Sequence, residues 1–131
     1  MSDFKKLRVW RKAHALSLAV DRASRQIRDR RYAPLRNQIF RSAMSISANI
    51  AEGRTQKSDK DFARFLGYAL SSTSEVEHHL IVARDTNAFT EADFISLLAQ
   101  TVEVRKMLYG LIKTVLEEPA VHSTEKVSSS G

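Results

Sequence analysis

The chain has 131 residues, among them 21 Lys or Arg, 15 Asp or Glu and no Cys, and its formal net charge is +6. This length suits one domain with a self-sufficient hydrophobic core. The lack of Cys excludes a disulfide framework, a thiolate metal site and a cysteine nucleophile. The sequence contains no run of the ~20 apolar residues that cross a bilayer, and its start lacks the apolar segment of a signal peptide. We therefore expect a cytoplasmic protein with a single domain.

Positive charge is concentrated in the first third of the chain. Residues 1–41 contain 12 Lys or Arg and 3 Asp or Glu, a balance of +9, whereas residues 42–131 contain 9 and 12, a balance of −3. Such asymmetry favours a polyanionic partner, a nucleic acid before an anionic membrane surface. A basic helix that is simply solvated, or that docks on acidic surface of the same protein, is the alternative explanation.

The first predicted helix runs from Leu7 to Arg28, because apolar residues recur along it at steps of three and four. Arginines occupy its opposite face and the turn that follows. Their guanidinium groups can fork onto phosphate oxygens, although arginine is also common near a helix C-terminus simply because it suits the helix dipole. The predicted nucleic-acid contacts are Arg8, Arg11, Arg22, Arg25, Arg28, Arg30 and Arg31.

The second predicted helix begins near Pro34 and ends between Gly53 and Gln56, and it has two apolar stripes. The first stripe is Leu35, Ile39, Ile46 and Ile50, and the second is Phe40, Met44 and Ala51. Two stripes predict that the helix is packed on two sides, since a lone surface helix shows only one.

Trp10 lies at the edge of the apolar stripe of the first helix, where a monomer would leave it half exposed. Large exposed aromatic residues often mark contacts between chains. We therefore predict an oligomer interface that contains Trp10, Phe40 and Met44. The alternative is that Trp10 only caps the end of the bundle.

The third side of the second helix carries a row of polar residues, Arg41, Ser45, Asn49 and Glu52, which are four, four and three positions apart. Charged groups that are buried persist only when they are paired, so we predict a structural polar network rather than a catalytic group. Lys12 is the expected partner of Glu52, and Glu75 that of Arg41. The predicted network consists of Lys12, Arg41, Ser45, Asn49, Glu52 and Glu75.

Two longer helices follow. Ser58 is a predicted N-cap that opens a third helix over residues 59–86, and Thr90 is a predicted N-cap that opens a fourth helix to about Glu118. Apolar residues alternate at three and four along both helices, as in a coiled-coil seam. Gly67 and Gly110 fall inside these helices, where close approach of another helix, within the bundle or between subunits, would explain a glycine.

These elements predict an all-α fold, an elongated, antiparallel, up-down-up-down four-helix bundle formed by residues 1–118. Residues 119–131 are small, polar and aperiodic, and we expect them to form a disordered tail.

No catalytic constellation emerges from the sequence. A di-metal carboxylate bundle needs two Glu-x-x-His motifs, and only Glu75 with His78 forms one. The sequence contains neither a Gly-rich phosphate loop nor a Gly-x-Ser-x-Gly nucleophile elbow. We therefore expect no enzymatic activity, no metal and no cofactor.

Three groups of residues carry a resemblance to a known family. They are Phe4, Leu7, Val9, Trp10, Lys12 and Ala13, then Gln38, Arg41, Ser42, Ala43, Ser45, Ile46 and the run Asn49-Ile50-Ala51-Glu52-Gly53, then Ser58, Asp61, Phe62, Arg64, Phe65, Leu66, Ser74, Glu75 and Glu77. These residues resemble those of the four-helix-bundle proteins encoded in intervening sequences of bacterial large-subunit ribosomal RNA genes. The resemblance covers about residues 4–116, and Ser47 stands where many members carry Pro.

The resemblance implies an antiparallel four-helix bundle that assembles into a ring-like homopentamer. It also implies kinship with the accessory variability proteins of diversity-generating retroelements, basic pentamers that engage nucleic acid and a reverse transcriptase. Lys12, Asn49 and Glu52 match signature positions with a structural character. The family supplies no settled activity.

Two hypotheses follow from the sequence. The first is a non-enzymatic oligomer that binds RNA or DNA, RNA being favoured, through the phosphate backbone and with little base readout. The second is a structural scaffold, or an adaptor for a reverse transcriptase or other protein, that does not bind nucleic acid. We expect no membrane partner under either hypothesis.

Overall fold

The structure, a computed structural model, describes residues 3–122, with side chains through residue 117. Two short 3-10 helices, Phe4–Lys6 and Arg30–Tyr32, precede the first and second α-helices, and the described residues form no strand. The all-α fold with four long helices is therefore confirmed. The α-helices are α1 (Arg8–Ser24), α2 (Ala33–Arg54), α3 (Asp59–Asp85) and α4 (Glu91–His122).

The predicted caps begin α3 and α4. Ser58 Oγ accepts a hydrogen bond from the Asp61 N–H at 3.1 Å, and Thr90 Oγ1 accepts one from the Asp93 N–H at 3.0 Å. Each bond satisfies one of the free N–H groups of a first helical turn, which is why these positions start helices.

The first helix is shorter than predicted, because α1 ends at Ser24 and not at Arg28. The chain tightens into a turn in which the Gln26 N–H donates to Ala23 O at 3.1 Å and the Ile27 N–H donates to Ser24 O at 3.0 Å. Ile27 nevertheless keeps its side chain in the core. An apolar period therefore continued past the end of the helix.

The last helix extends to His122, about one turn beyond the predicted end near Glu118. The residues after Glu118 have no apolar period, so the sequence pattern could not show that the backbone remains helical there. Of the predicted tail, residues 123–131 lie outside the described part of the chain.

The core draws on all four helices and contains Ile39, Ile46 and Ile50 of the first apolar stripe of α2, while Leu35 of that stripe is partly buried against it. Burying one Leu or Ile side chain completely stabilises the fold by about 1.5–3 kcal/mol. Among the largest fully buried side chains are Leu16, Ile39, Ile46, Ile50, Leu66, Leu80 and Leu108.

Helices α2 and α3 approach closely at Gly53. A Cβ atom at this position would lie 2.9 Å from Phe65 Cβ, so only glycine fits without a shift of the helices. Further along the same two helices, the hydroxyls of Ser45 and Ser72 are 2.8 Å apart and share a hydrogen bond.

The junction of α3 with α4 contains a polar link around Arg105. Its guanidinium donates to Glu77 Oε1 at 2.7 Å, to Thr73 Oγ1 at 3.1 Å and to Thr73 O at 3.3 Å. The side chains of Arg105 and Glu77 are 24% and 36% exposed, so this link is partly shielded from water. Sequence reasoning did not identify Arg105, because the pattern of one helix does not show which residue of another helix faces it.

For the two mid-helix glycines, the alternative of close approach within the bundle is wrong, while close approach between subunits stays a prediction. A Cβ atom added at Gly67 or at Gly110 would have no neighbouring atom within 4 Å. Close packing inside the chain therefore does not explain either glycine.

None of the four described helices combines the length and apolar character that a bilayer span requires.

Candidate nucleic-acid and association surfaces

The seven predicted arginine contacts are all exposed, and they form two groups along α1. Arg8 and Arg11 lie at the start of the helix, whereas the other five lie around its end and the turn after it. At 1.5 Å per residue, Arg8 and Arg25 are about 25 Å apart along the axis. The structure therefore does not place the predicted set in one patch.

Arg11 has a structural role at the start of α1. Its guanidinium donates to Lys5 O at 3.0 Å and to Lys6 O at 2.9 Å, carbonyls of the preceding 3-10 helix. These bonds hold the N-terminal turn against α1. Part of its donor capacity is therefore already used.

Two arginines at the other end form exposed ion pairs. Arg25 pairs with Asp21 at 2.9 Å, and Arg31 pairs with Asp29 at 2.8 Å. Hydrogen bonds from the Arg31 backbone N–H and then from its side chain lower the pKa of Asp29, and the bond to Asp29 raises the pKa of Arg31. Exposed ion pairs of this kind contribute little to stability, so both guanidinium groups can exchange a carboxylate for a phosphate at small cost.

A polar cleft of about 400 Å³ lies between the end of α1 and the start of α2. We call it the arginine cleft, because Arg25, Arg28 and Arg36 line it together. Asp21, Ser24, Ile27, Asn37 and Phe40 complete its wall.

Arg36 was not among the predicted contacts. It is half-buried, and its Nη1 donates to Ile27 O at 2.7 Å, a bond that fixes the guanidinium across the turn between α1 and α2. The one feature of the sequence that pointed to Arg36 was its position in the basic first third of the chain. Nothing in the sequence showed that the turn would fold it back onto the arginines of α1.

Arg22 lines a different groove, of about 300 Å³, between α1 and α4. Its neighbours there include Gln26, Asp93 and Gln100. The carboxylate of Asp93 makes this groove less suited to a polyanion than the arginine cleft.

Trp10, Phe40 and Met44, the three residues predicted for an oligomer interface, line one groove of about 370 Å³ between α1 and α2. We call it the aromatic groove. Trp10 is half-buried, with its ring 5.1 Å from that of Phe4 edge-on and stacked 4.9 Å from that of His14. Met44 and Leu18 in this groove remain 43% and 47% exposed. Apolar surface of this kind marks association sites in soluble proteins.

Part of the predicted polar network exists. Asn49 Nδ2 donates to Ser45 O at 2.9 Å and to Ser45 Oγ at 3.2 Å, and Ser45 Oγ in turn meets Ser72. These hydrogen bonds link one turn of α2 to α3. Their role is structural, because each of the three side chains bonds to another group of the bundle.

The expected charge pairs of this network are wrong. Lys12 pairs with Glu103 at 3.4 Å and not with Glu52, because its side of α1 meets α4. In the described part of the chain, no ion pair joins Arg41 to Glu75. Arg41, Glu52 and Glu75 are all exposed, so water solvates them and no burial forces them to pair.

His79 is a half-buried histidine of α3. Burial and then the neighbouring His78 lower its pKa, while Glu75 opposes the shift. Residues 3–117 contain no group of three or more His, Asp or Glu side chains placed to hold a metal ion.

Comparison with known proteins identifies the family. The family model described as 23S rRNA-intervening sequence protein matches residues 5–110. A crystal structure at 1.70 Å of a protein with unknown function from the S23 ribosomal protein family of Bacteroides thetaiotaomicron VPI-5482 is similar, with a TM-score of 0.75 and 28% identity. That similarity covers 81% of this chain and 99% of the other. No curated protein matches the sequence. Because the family model spans most of the bundle, the chain belongs to the 23S rRNA-intervening sequence protein family.

Proposed function

We propose that this protein is a non-enzymatic helical bundle that binds nucleic acid, RNA in preference to DNA, through the end of α1, the turn after it and the start of α2. The observation that carries the proposal is the arginine cleft, where three guanidinium groups share one concave surface. Arg30 and Arg31 extend the same surface along the turn. The family description, which refers to an intervening sequence of 23S rRNA, supports RNA as the partner.

Such a surface reads the phosphate backbone. Guanidinium groups match phosphate oxygens in a bidentate geometry but carry no sequence information in doing so. We expect little base specificity and an affinity that falls steeply as salt increases, because each phosphate contact releases counterions.

The protein acts as a cytoplasmic homo-oligomer in this proposal. Gly53 of α2 meets Phe65 of α3, whereas the earlier Ser45 meets the later Ser72. Lys12 of α1 pairs with Glu103 of α4, whereas the later Arg22 shares a groove with the earlier Asp93. Both relations support the antiparallel up-down-up-down arrangement. The aromatic groove is the proposed interface, and resemblance to the family favours a ring-like pentamer. A ring would repeat each arginine cleft and so multiply weak contacts by avidity.

A scaffold or protein adaptor is the second candidate function. The aromatic groove favours it, because an apolar groove with exposed Met44 and Leu18 can receive a protein as well as a second copy. A reverse transcriptase or another protein would then occupy the surface, and the arginines would be solvated.

Charge reversal separates the two functions. Arg22, Arg25, Arg28 and Arg31 are changed together to Glu, and the control changes Lys60, Arg64, Lys106 and Lys113, exposed residues of α3 and α4, to Glu. Both variants undergo the same change in net charge. Binding to a structured 23S rRNA fragment and the mass of the particle are measured by light scattering at low and moderate salt.

We expect the first variant to lose RNA binding and to keep its oligomeric mass, while the control binds. Equal binding by the wild type and the first variant would reject the nucleic-acid function and leave the scaffold. Equal loss in both variants would show that binding depends on net charge and not on this surface.

A further inference from the structure

The arginine cleft has an excess of positive charge that the described chain does not neutralise. Asp21 pairs with Arg25, whereas Arg28 and Arg36 have no carboxylate partner among the described residues. Cations held around one cleft repel each other, and an anion between them removes that cost. An anion in the cleft would offset the repulsion between Arg28 and Arg36.

Its donors suit a phosphate group. The hydrogen bond from Arg36 to Ile27 O fixes one guanidinium nitrogen and leaves the other N–H groups as donors. Asn37 adds an amide donor one residue further along α2. A volume of about 400 Å³ is within the range of ligand sites, and far more than one water occupies.

We propose that the arginine cleft is a phosphate-binding site in which Arg28, Arg36 and Asn37 hold one phosphate group in a fixed position. The inference rests on the proposed function in taking that phosphate from an RNA backbone. A free nucleotide or inorganic phosphate has the same chemistry. The site thus provides one oriented contact among the diffuse contacts of the exposed arginines.

The test compares single Arg→Gln substitutions inside and outside the cleft. Arg36→Gln and Arg28→Gln each remove one guanidinium from it. Arg64→Gln is the control, because it makes the same chemical change on α3, beside the end of α2 that lies ~20 Å or more from the cleft. Circular dichroism and thermal unfolding verify that each variant folds, and Arg28→Gln leaves the bond between Arg36 and Ile27 intact.

Binding to a single-stranded RNA and to pyrophosphate is measured by calorimetry over a range of salt. We expect Arg36→Gln and Arg28→Gln to weaken RNA binding about tenfold or more, as for the loss of a charged hydrogen-bonded contact. The slope of log affinity against log salt should fall by about 0.7 for each lost contact. Arg64→Gln should remain within about threefold of the wild type, because solvent screens a distant exposed charge.

The results distinguish the cleft from the proposed function. Equal RNA affinity in all three variants would overturn the phosphate site while the RNA function stands. Binding of pyrophosphate that depends on Arg36, without RNA binding by the wild type, would support the site with a free phosphate as ligand and reject the RNA function. A wild type that binds neither ligand would reject both.

Discussion

Helices α1 and α3 each pack between two neighbours, but their junctions differ. Around α3, Gly53 lets α2 approach to contact, and Arg105 links α4 through three hydrogen bonds. Around α1, the arginine cleft, the aromatic groove and the groove of Arg22 all remain open. Among the side chains that the structure describes, the one ion pair from α1 to another α-helix is the half-exposed contact between Lys12 and Glu103.

The difference indicates that the junctions of α3 and those of α1 have different roles. The close contact at Gly53 and the link at Arg105 hold α3 in the fold, although a groove of about 390 Å³ remains open where Phe62 of α3 faces Leu111 of α4. Open junctions around α1 contribute less to stability and present charge and apolar surface to partners. Substitutions near α3 should therefore change stability, and substitutions near α1 should change association and binding.

The largest expected effect is on assembly. Met44→Glu places a charge in the aromatic groove, at a side chain that is 43% exposed and so tolerates the change in the monomer. Burying an unpaired carboxylate in an interface is costly, and we expect the oligomer to dissociate. Light scattering measures the mass, and Ser71→Glu at an exposed position of α3 is the control. If the Met44→Glu variant keeps its oligomeric mass, the interface does not include this groove.

Two Gly→Ala substitutions compare the stability of a tightly packed position, Gly53, with that of an open one, Gly67. Gly53→Ala should destabilise the protein, because overpacking costs about 1–3 kcal/mol and exceeds a helix-propensity gain of at most about 1 kcal/mol. Gly67→Ala has open space and should stabilise it by up to about 1 kcal/mol. Urea unfolding measures both. A loss of assembly with Gly67→Ala would instead place this face in contact with another copy.

A smaller effect compares the two inter-helix ion pairs. Arg105→Met breaks the link to Glu77 and Thr73 and should cost ~1–2 kcal/mol, because it leaves a partly shielded carboxylate without its partner. Lys12→Met at the half-exposed pair should cost ~0–1 kcal/mol. Chemical denaturation of the two variants provides the comparison. If both cost the same, the closed and open junctions do not differ in the way proposed.

Much of the fold could be predicted from the sequence. Ser58 and Thr90 act through hydrogen bonds to residues three positions away, so local sequence was sufficient to locate the starts of α3 and α4. Ile39, Ile46 and Ile50 recur on one face, and that face is buried. The end of α1 was wrong because Ile27 continues the apolar period after the backbone has left the helix.

The candidate site was predictable only in part. The concentration of arginine in the first third was visible as composition, and so were the aromatic and apolar residues that line the aromatic groove. The pairing of Lys12 with Glu103, and the link from Arg105 to Glu77, were not visible. Each joins residues far apart in the chain, and the pattern of one helix carries no information about which residue faces it from another.

Local hydrogen bonding and apolar periodicity were thus enough to define four helices and their inward faces. Both act over a few residues, which is the range that a sequence displays directly. The grouping of the arginines depended on tertiary structure, because the turn after Ser24 folds Arg36 back beside Arg25 and Arg28 and leaves Arg8 about 25 Å away. Charge composition indicated a polyanion, but the packing of α1 against α2 created the cleft that can hold a phosphate.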